Sequence, residues 1–122
     1  MYNLLIECNI AFEEMVSNLE KVFRTTLEVN QTDLGKRCQF YCFDMEFYLY
    51  SEHGLEDDMG IEFSKYNYVL NLYKLIRGGE SKAYLKMYDS IALYYAEKIS
   101  QTLKVNTLLV DDLQRKVSEF KV

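Results

Sequence analysis

Residues 39–50 read QFYCFDMEFYLY, and the alternation inside this stretch decides the fold. Tyr41, Phe43, Met45, Phe47 and Leu49 alternate with Phe40, Cys42, Asp44, Glu46, Tyr48 and Tyr50. A two-residue period sends successive side chains to opposite faces of an extended strand. The odd-numbered set is therefore expected on the core, and the mixed set of tyrosines and carboxylates toward solvent or a partner. A strand over about 38–50 follows, with room for a turn near Asp44 to split it. A second extended segment over about 61–76 changes phase, because Ile61 and Phe63 are odd whereas Tyr66, Tyr68, Leu70 and Leu72 are even. A bulge or tight turn near Ser64 and Lys65 accounts for the slip, since one extra residue flips every later side chain. Residues 52–60, EHGLEDDMG, form the loop joining these two antiparallel strands.

Away from the strands the apolar period lengthens. Leu4, Leu5, Cys8, Phe12, Met15, Val16, Leu19, Val22 and Phe23 recur at steps of three and four, which predicts one helix over about 4–26. Its other face carries Glu7, Glu13, Glu14 and Glu20 and reads as a solvated surface. On the far side, Gly78-Gly79 reads as a strand-to-helix joint and Ser81 as the N-cap of a helix over about 82–103. Tyr84, Tyr88, Ile91, Ala92, Tyr95, Ile99 and Leu103 share one face of that helix, and Leu85, Met87, Leu93, Tyr94 and Ala96 widen it, so cover on more than one side is expected. Leu108, Leu109 and Val110 predict a short buried strand over about 106–110, and the tail DDLQRKVSEF a final helical turn or an edge element. The expected architecture is a single α+β domain over residues 1–122, an antiparallel sheet packed against two long α-helices.

A chain of 122 residues with 49% hydrophobic and 27% charged residues is long enough for a self-supporting core and far from a disordered composition. Its net charge of −5 is uneven: residues 1–58 carry twelve acids against four bases, and residues 59–122 seven against ten. An acidic protein repels phosphate backbones, so a nucleic-acid partner is disfavoured, and a basic face would have to come from Lys82, Lys86, Arg115 and Lys116. The odd set Cys8, Cys38 and Cys42 and the missing basic, then apolar, leader pattern point to a reducing cytoplasm. No apolar run approaches the eighteen or so residues of a membrane helix, so no membrane partner is expected.

Catalytic chemistry finds little support. His53 is the only histidine, and no nucleophile or orienting partner is recognisable beside it. Cys38 and Cys42 on one strand lie about 13 Å apart, too far to chelate one ion, and no second Cys/His pair completes a zinc site. Glu56-Asp57-Asp58 lacks the alternating oxygen ligands of a calcium loop. RGGESKAY matches neither phosphate-binding glycine pattern, and its Glu80 opposes phosphate. The chain is expected to be a non-enzyme with no cofactor and no metal.

Binding is better supported. Ten of the eighteen aromatic residues fall between Phe40 and Tyr73, around the acidic cluster Glu52, Glu56, Asp57 and Asp58. Aromatic side chains offer large contact area at low entropic cost, and clustered carboxylates steer basic partners. Residues 48–75, YLYSEHGLEDDMGIEFSKYNYVLNLYKL, carry an acidic glycine-bearing loop, then G-I-x-F-S-x-Y-x-Y and an apolar strand; a long helix and a short terminal strand follow. Over residues 48–110 this pattern resembles the small acidic immunity proteins that bacteria pair with contact-dependent or other polymorphic toxins. The resemblance implies tight, specific binding of a cognate toxin C-terminal domain, often a nuclease, by blocking its active site or an exosite. A nuclease needs a basic surface for phosphates, and a carboxylate-rich inhibitor competes for it. The candidate contact residues are Glu46, Tyr48, Tyr50, Glu52, Glu56, Asp57, Asp58 and Glu62, with Tyr66 and Tyr68 as further aromatic anchors. The expected assembly state is a monomer or weak homodimer. The competing readings are a small cytoplasmic adaptor or oligomeric binding module and, further off, an enzyme using His53 with the acidic loop.

Overall fold

A computed structural model describes residues 1–75 and 81–122. Its elements run β1 (Tyr2–Glu7), α1 (Phe12–Phe23), β2 (Glu28–Thr32), β3 (Gly35–Cys42), β4 (Met45–Tyr50), a 3-10 turn (Phe63–Lys65), β5 (Tyr68–Lys74), α2 (Lys82–Leu103), β6 (Asn106–Asp111) and β7 (Arg115–Phe120). The strands form one antiparallel seven-stranded sheet in the order β2-β3-β4-β5-β1-β6-β7. The α+β class holds, with one long helix, α2, and one shorter, α1, in place of two long ones. Ile76, the Gly78-Gly79 joint and Glu80 lie outside the described residues.

The turn near Asp44 is present and changes the phase of the deciding stretch. Phe43 and Asp44 both take φ 56, the left-handed pair that a two-residue hairpin requires. Cys42 faces Met45 and Phe40 faces Phe47 across it, so even residues of β3 share a face with odd residues of β4. Cys38, Phe40, Met45, Phe47 and Leu49 are buried, whereas Tyr41 and Phe43, expected in the core, are 61% and 51% exposed. An unbroken strand 38–50 would have kept one parity; a two-residue turn exchanges it.

The predicted helix over 4–26 is two elements. Leu4, Leu5 and Ile6 are fully buried in β1, with Leu4 and Ile6 on the helix-covered face and Leu5 on the other. A strand hydrogen-bonded on both sides and covered on both faces reads as a continuous apolar run, which short-range spacing cannot separate from a helix. The helix itself starts at Phe12 and stops where Arg24 turns left-handed, its N–H bonding Glu20 O. The phase slip after Phe63 is the 3-10 turn, and strand pairing resumes only at Tyr68. The charged tail is the edge strand β7. β2, which lacks any apolar alternation, is the opposite edge.

Both helices lie on one face of the sheet. Ser81 caps α2, its Oγ accepting from Tyr84 N at 3.1 Å. The helix is covered on one side only, since Leu93 and Tyr94 are exposed. Between helices and sheet, Phe23 stacks on Tyr95 at 4.2 Å and meets Phe40 and Phe47 edge-on, while Phe40 stacks on Phe47 at 4.8 Å. Edge-on and stacked aromatic pairs each add about 0.5–1.5 kcal/mol beyond the area they bury.

The second face is covered over half its width. Ile61, Phe63 and Tyr66 from the long β4–β5 connection pack on Leu5, Val69, Leu108 and Val110. That lid sits over β5, β1 and β6, and the outward side chains of β3 and β4 remain uncovered by it.

Cys38 is buried under the helices and Cys42 is half-buried at the end of the same strand; burial pushes each thiol up to about 11. The thiolate is the reactive form, and its scarcity outweighs its higher intrinsic nucleophilicity. Iodoacetamide at pH 8 is expected to label Cys42 about tenfold or more slowly than an unhindered cysteine peptide. A labelling rate that levels off below pH 9 would contradict this.

Candidate functional site

Arg37 and Gln39 of β3, Glu46, Tyr48 and Tyr50 of β4, and Asn71 and Tyr73 of β5 alternate with core residues and project from the face opposite the helices. The antiparallel register sets Arg37 opposite Tyr50, Gln39 opposite Tyr48, and Tyr41 opposite Glu46; Glu46 and Tyr48 in turn face Tyr73 and Asn71. Cross-strand neighbours about 5 Å apart at Cβ make contact, so these residues form one surface. The Arg37 guanidinium lies 5.2 Å from the centroid of the Tyr48 ring, and Tyr73 meets that ring edge-on at 5.5 Å. Together they shape an open groove of about 430 Å³.

Glu46 is the centre of this surface. Gln39 Nε2 donates to its Oε2 at 3.0 Å, and Gln39 also donates to the Tyr41 hydroxyl at 2.8 Å. Desolvation works to raise its pKa, but hydrogen bonds from Tyr41, Tyr48 and Gln39, with the Arg37 charge, prevail and hold it below the ordinary carboxylate value. The same hydrogen bond pushes Tyr48 up to about 12. A depressed carboxylate contributes its stabilisation above its unfolded pKa and loses it as pH falls through the folded one, so the network opens in acid. Glu46 thus acts as an organiser of tyrosines more than as an exposed charge.

The acidic loop is ordered by its own side chains. His53 Nδ1 accepts from Leu55 N at 2.9 Å, which leaves the proton on Nε2 to donate to Tyr66 O at 2.7 Å. Both ring nitrogens serve the loop, and neither is left for proton transfer. Asp57 accepts from Ser64 N at 2.9 Å, and this backbone bond lowers its pKa. Asp58 and Ile61 exchange backbone hydrogen bonds across a tight turn in which Met59 and Gly60 both take positive φ.

The sequence-derived candidates therefore fall into two groups. Glu46, Tyr48 and Tyr50 line the groove, whereas Asp57, Asp58 and Glu62 line a separate shallow recess with Gly60 and Ile61. Glu52 and Glu56 are exposed along the connection. Tyr66 and Tyr68, expected as anchors, are each 5% exposed and belong to the two cores. Sequence reasoning missed Arg37, Asn71 and Tyr73, although each occupies the outward position of its strand, where a polar or amphipathic residue among apolar neighbours is the available signal.

Among the described residues no three or more His, Cys, Asp or Glu converge as metal ligands would, and no helix is long and apolar enough to cross a membrane. No protein-family description, curated protein or solved structure matches the chain.

Proposed function

We propose that this protein is a non-enzymatic inhibitor, an immunity protein that binds a cognate bacterial toxin domain through the uncovered half of its sheet and the adjoining acidic connection. The observation that carries the reading is the groove itself. Tyr48, Tyr50 and Tyr73 are held on strands, with Tyr48 clamped between Arg37 and Glu46, so little ordering entropy is left to lose on binding. Aromatic anchors of this kind dominate interface energetics. Glu52, Glu56 and Glu62 are exposed and supply the long-range attraction that speeds encounter with a basic nuclease.

The test is binding and rescue with the toxin domain encoded by the neighbouring reading frame. Tyr50→Ala and Tyr73→Ala are each expected to weaken binding by about 2 kcal/mol, roughly thirtyfold, chiefly through faster dissociation. Reversing Glu52, Glu56 and Glu62 to lysine is expected to slow association and flatten its salt dependence. Nanomolar binding with growth rescue supports the reading; a neighbouring toxin that the protein neither binds nor neutralises sinks it.

A homo-oligomeric or adaptor module is the second reading, and β2 favours it. This edge strand, Glu28–Thr32, has no lysine, proline or bulge to blunt it, whereas the β7 edge carries Arg115 and Lys116 and pairs through an irregular register. Light scattering separates the two: a stable dimer at micromolar concentration favours the module, a monomer the inhibitor.

A further inference from the structure

Among the described residues the groove is lined by the donors of Arg37 and Asn71 with a single carboxylate, and the orientation of one donor follows from an unambiguous starting point. Leu113 N, a backbone donor, bonds Asn3 Oδ1 at 2.9 Å. The amide nitrogen of Asn3 is therefore the group that donates to Asn71 Oδ1 at 2.7 Å. Asn71 Nδ2 is left over, and among the described residues it has no acceptor. Asn71 pairs directly with Tyr48, and Arg37 stacks over that same ring, so the amide and the guanidinium flank one tyrosine.

Arg37 is likewise under-used. Among the described residues it makes no ion pair, and its Nε is shut off from water without a partner. A buried donor left without a partner is costly, more so when its group is charged. Among the described residues the one carboxylate lining the groove, Glu46, is already engaged by Gln39, Tyr41 and Tyr48. The hydroxyls of Tyr50 and Tyr73 complete a donor-rich rim. Lys74 also lines the groove, but its ammonium sits 5.4 Å over the Tyr88 ring on the helix side.

We propose that this groove binds a carboxylate group, held by the Arg37 guanidinium and the Asn71 amide nitrogen between Tyr50 and Tyr73. A guanidinium matches the planar pair of carboxylate oxygens. Glu46 nearby disfavours a doubly charged phosphate more than a singly charged carboxylate. The carboxylate comes from a small organic acid or from an Asp, Glu or chain terminus of a protein. The site lies in the same groove that the toxin reading uses, but its assignment rests on the unpartnered donors of Arg37 and Asn71 and not on that reading.

The test is a titration of the full-length ¹⁵N-labelled protein with glutarate and with the blocked tripeptide acetyl-Gly-Glu-Gly-amide, at ionic strength matched with sodium chloride. Saturable shifts of the Arg37 Nε–H and Asn71 Nδ2 resonances at about 10 mM ligand or below are expected. Glutarate alone identifies a small acid, and the tripeptide alone identifies a protein. Arg37→Gln and Asn71→Asp should each weaken binding at least tenfold while the remaining spectrum stays that of the folded chain, and Arg115→Gln should change nothing. Absence of saturable shifts, undiminished shifts in Arg37→Gln, or tighter binding of inorganic phosphate overturns the proposal. Failure of the rescue assay leaves this titration readable, and failure of the titration leaves the rescue assay readable.

Discussion

Phe47→Ala is expected to cost about 3–5 kcal/mol, whereas Phe43→Ala should change stability by less than about 1 kcal/mol. Phe47 is fully buried and touches Phe23, Phe40 and Tyr95, so truncation removes three aromatic contacts and leaves a cavity that the sheet backbone cannot close. Phe43 sits on the hairpin turn, 51% exposed, with a positive φ that a phenyl side chain does not favour. A domain of this length holds roughly 6–18 kcal/mol in total, so the Phe47 loss consumes a large fraction of it. The melting temperature should fall by about 10–25 °C. Urea unfolding of the two variants decides between a hairpin and an unbroken strand, because an unbroken strand puts both rings on one face and makes their losses alike. Phe43→Asn, which suits the left-handed position better, should stay within about 1 kcal/mol of the parent.

The second large effect is expected at Asn3. Its side chain is fully buried and ties β1 to Asn71 of β5 and to Leu113 in the β6–β7 turn. Asn3→Ala strands a backbone donor and an amide acceptor at once, an expected loss of about 2–4 kcal/mol by urea unfolding. It also releases Asn71 to flip, which should alter the side-chain amide resonance of Asn71 while leaving the Glu46 network intact. Asn3→Asp separates the two consequences: the introduced carboxylate keeps an acceptor for Leu113 and draws Asn71 Nδ2 toward itself, out of the groove. A stability change below about 0.5 kcal/mol in Asn3→Ala would show that water replaces the amide and that the relay does not fix Asn71.

What the sequence made legible follows burial asymmetry. The long helix 82–103 and its Ser81 cap were readable to the residue, because one apolar face and one capping side chain are local signals. The strand 106–110 was readable because Leu108, Leu109 and Val110 form a short apolar run. β1 was misread because burial on both faces erases period two, and β2 was missed because Glu28 to Gln31 are exposed on both faces, which erases it equally. From Tyr41 to Phe47 every odd position is apolar or aromatic and the even ones are Cys42, Asp44 and Glu46, so the contrast favours one unbroken odd-numbered face and hides the phase reversal. The candidate site was half readable: outward alternation placed Glu46, Tyr48 and Tyr50, but the contributions of Arg37, Asn71 and Tyr73 depend on strand neighbours that are set by pairing. Tyr66 failed as an anchor because the connection folds back to cover Leu5 and Val69, and Tyr68 because α1 packs Phe12 against it on the other face of the sheet, both long-range events with no local signature.

The position of β1 between β5 and β6 has a kinetic consequence. Asn3 pairs with Asn71 on one side and with Val110 on the other, so the middle of the sheet is closed by residues far apart in sequence. Sheets dominated by such distant pairings fold slowly, because loop closure precedes the contacts that reward it. During synthesis, α1 and the β3–β4 hairpin can form early, while Leu4, Leu5 and Ile6 wait for β6 to emerge. Until then a strand with apolar side chains on both faces has one open edge, and that interval is where aggregation would compete with folding.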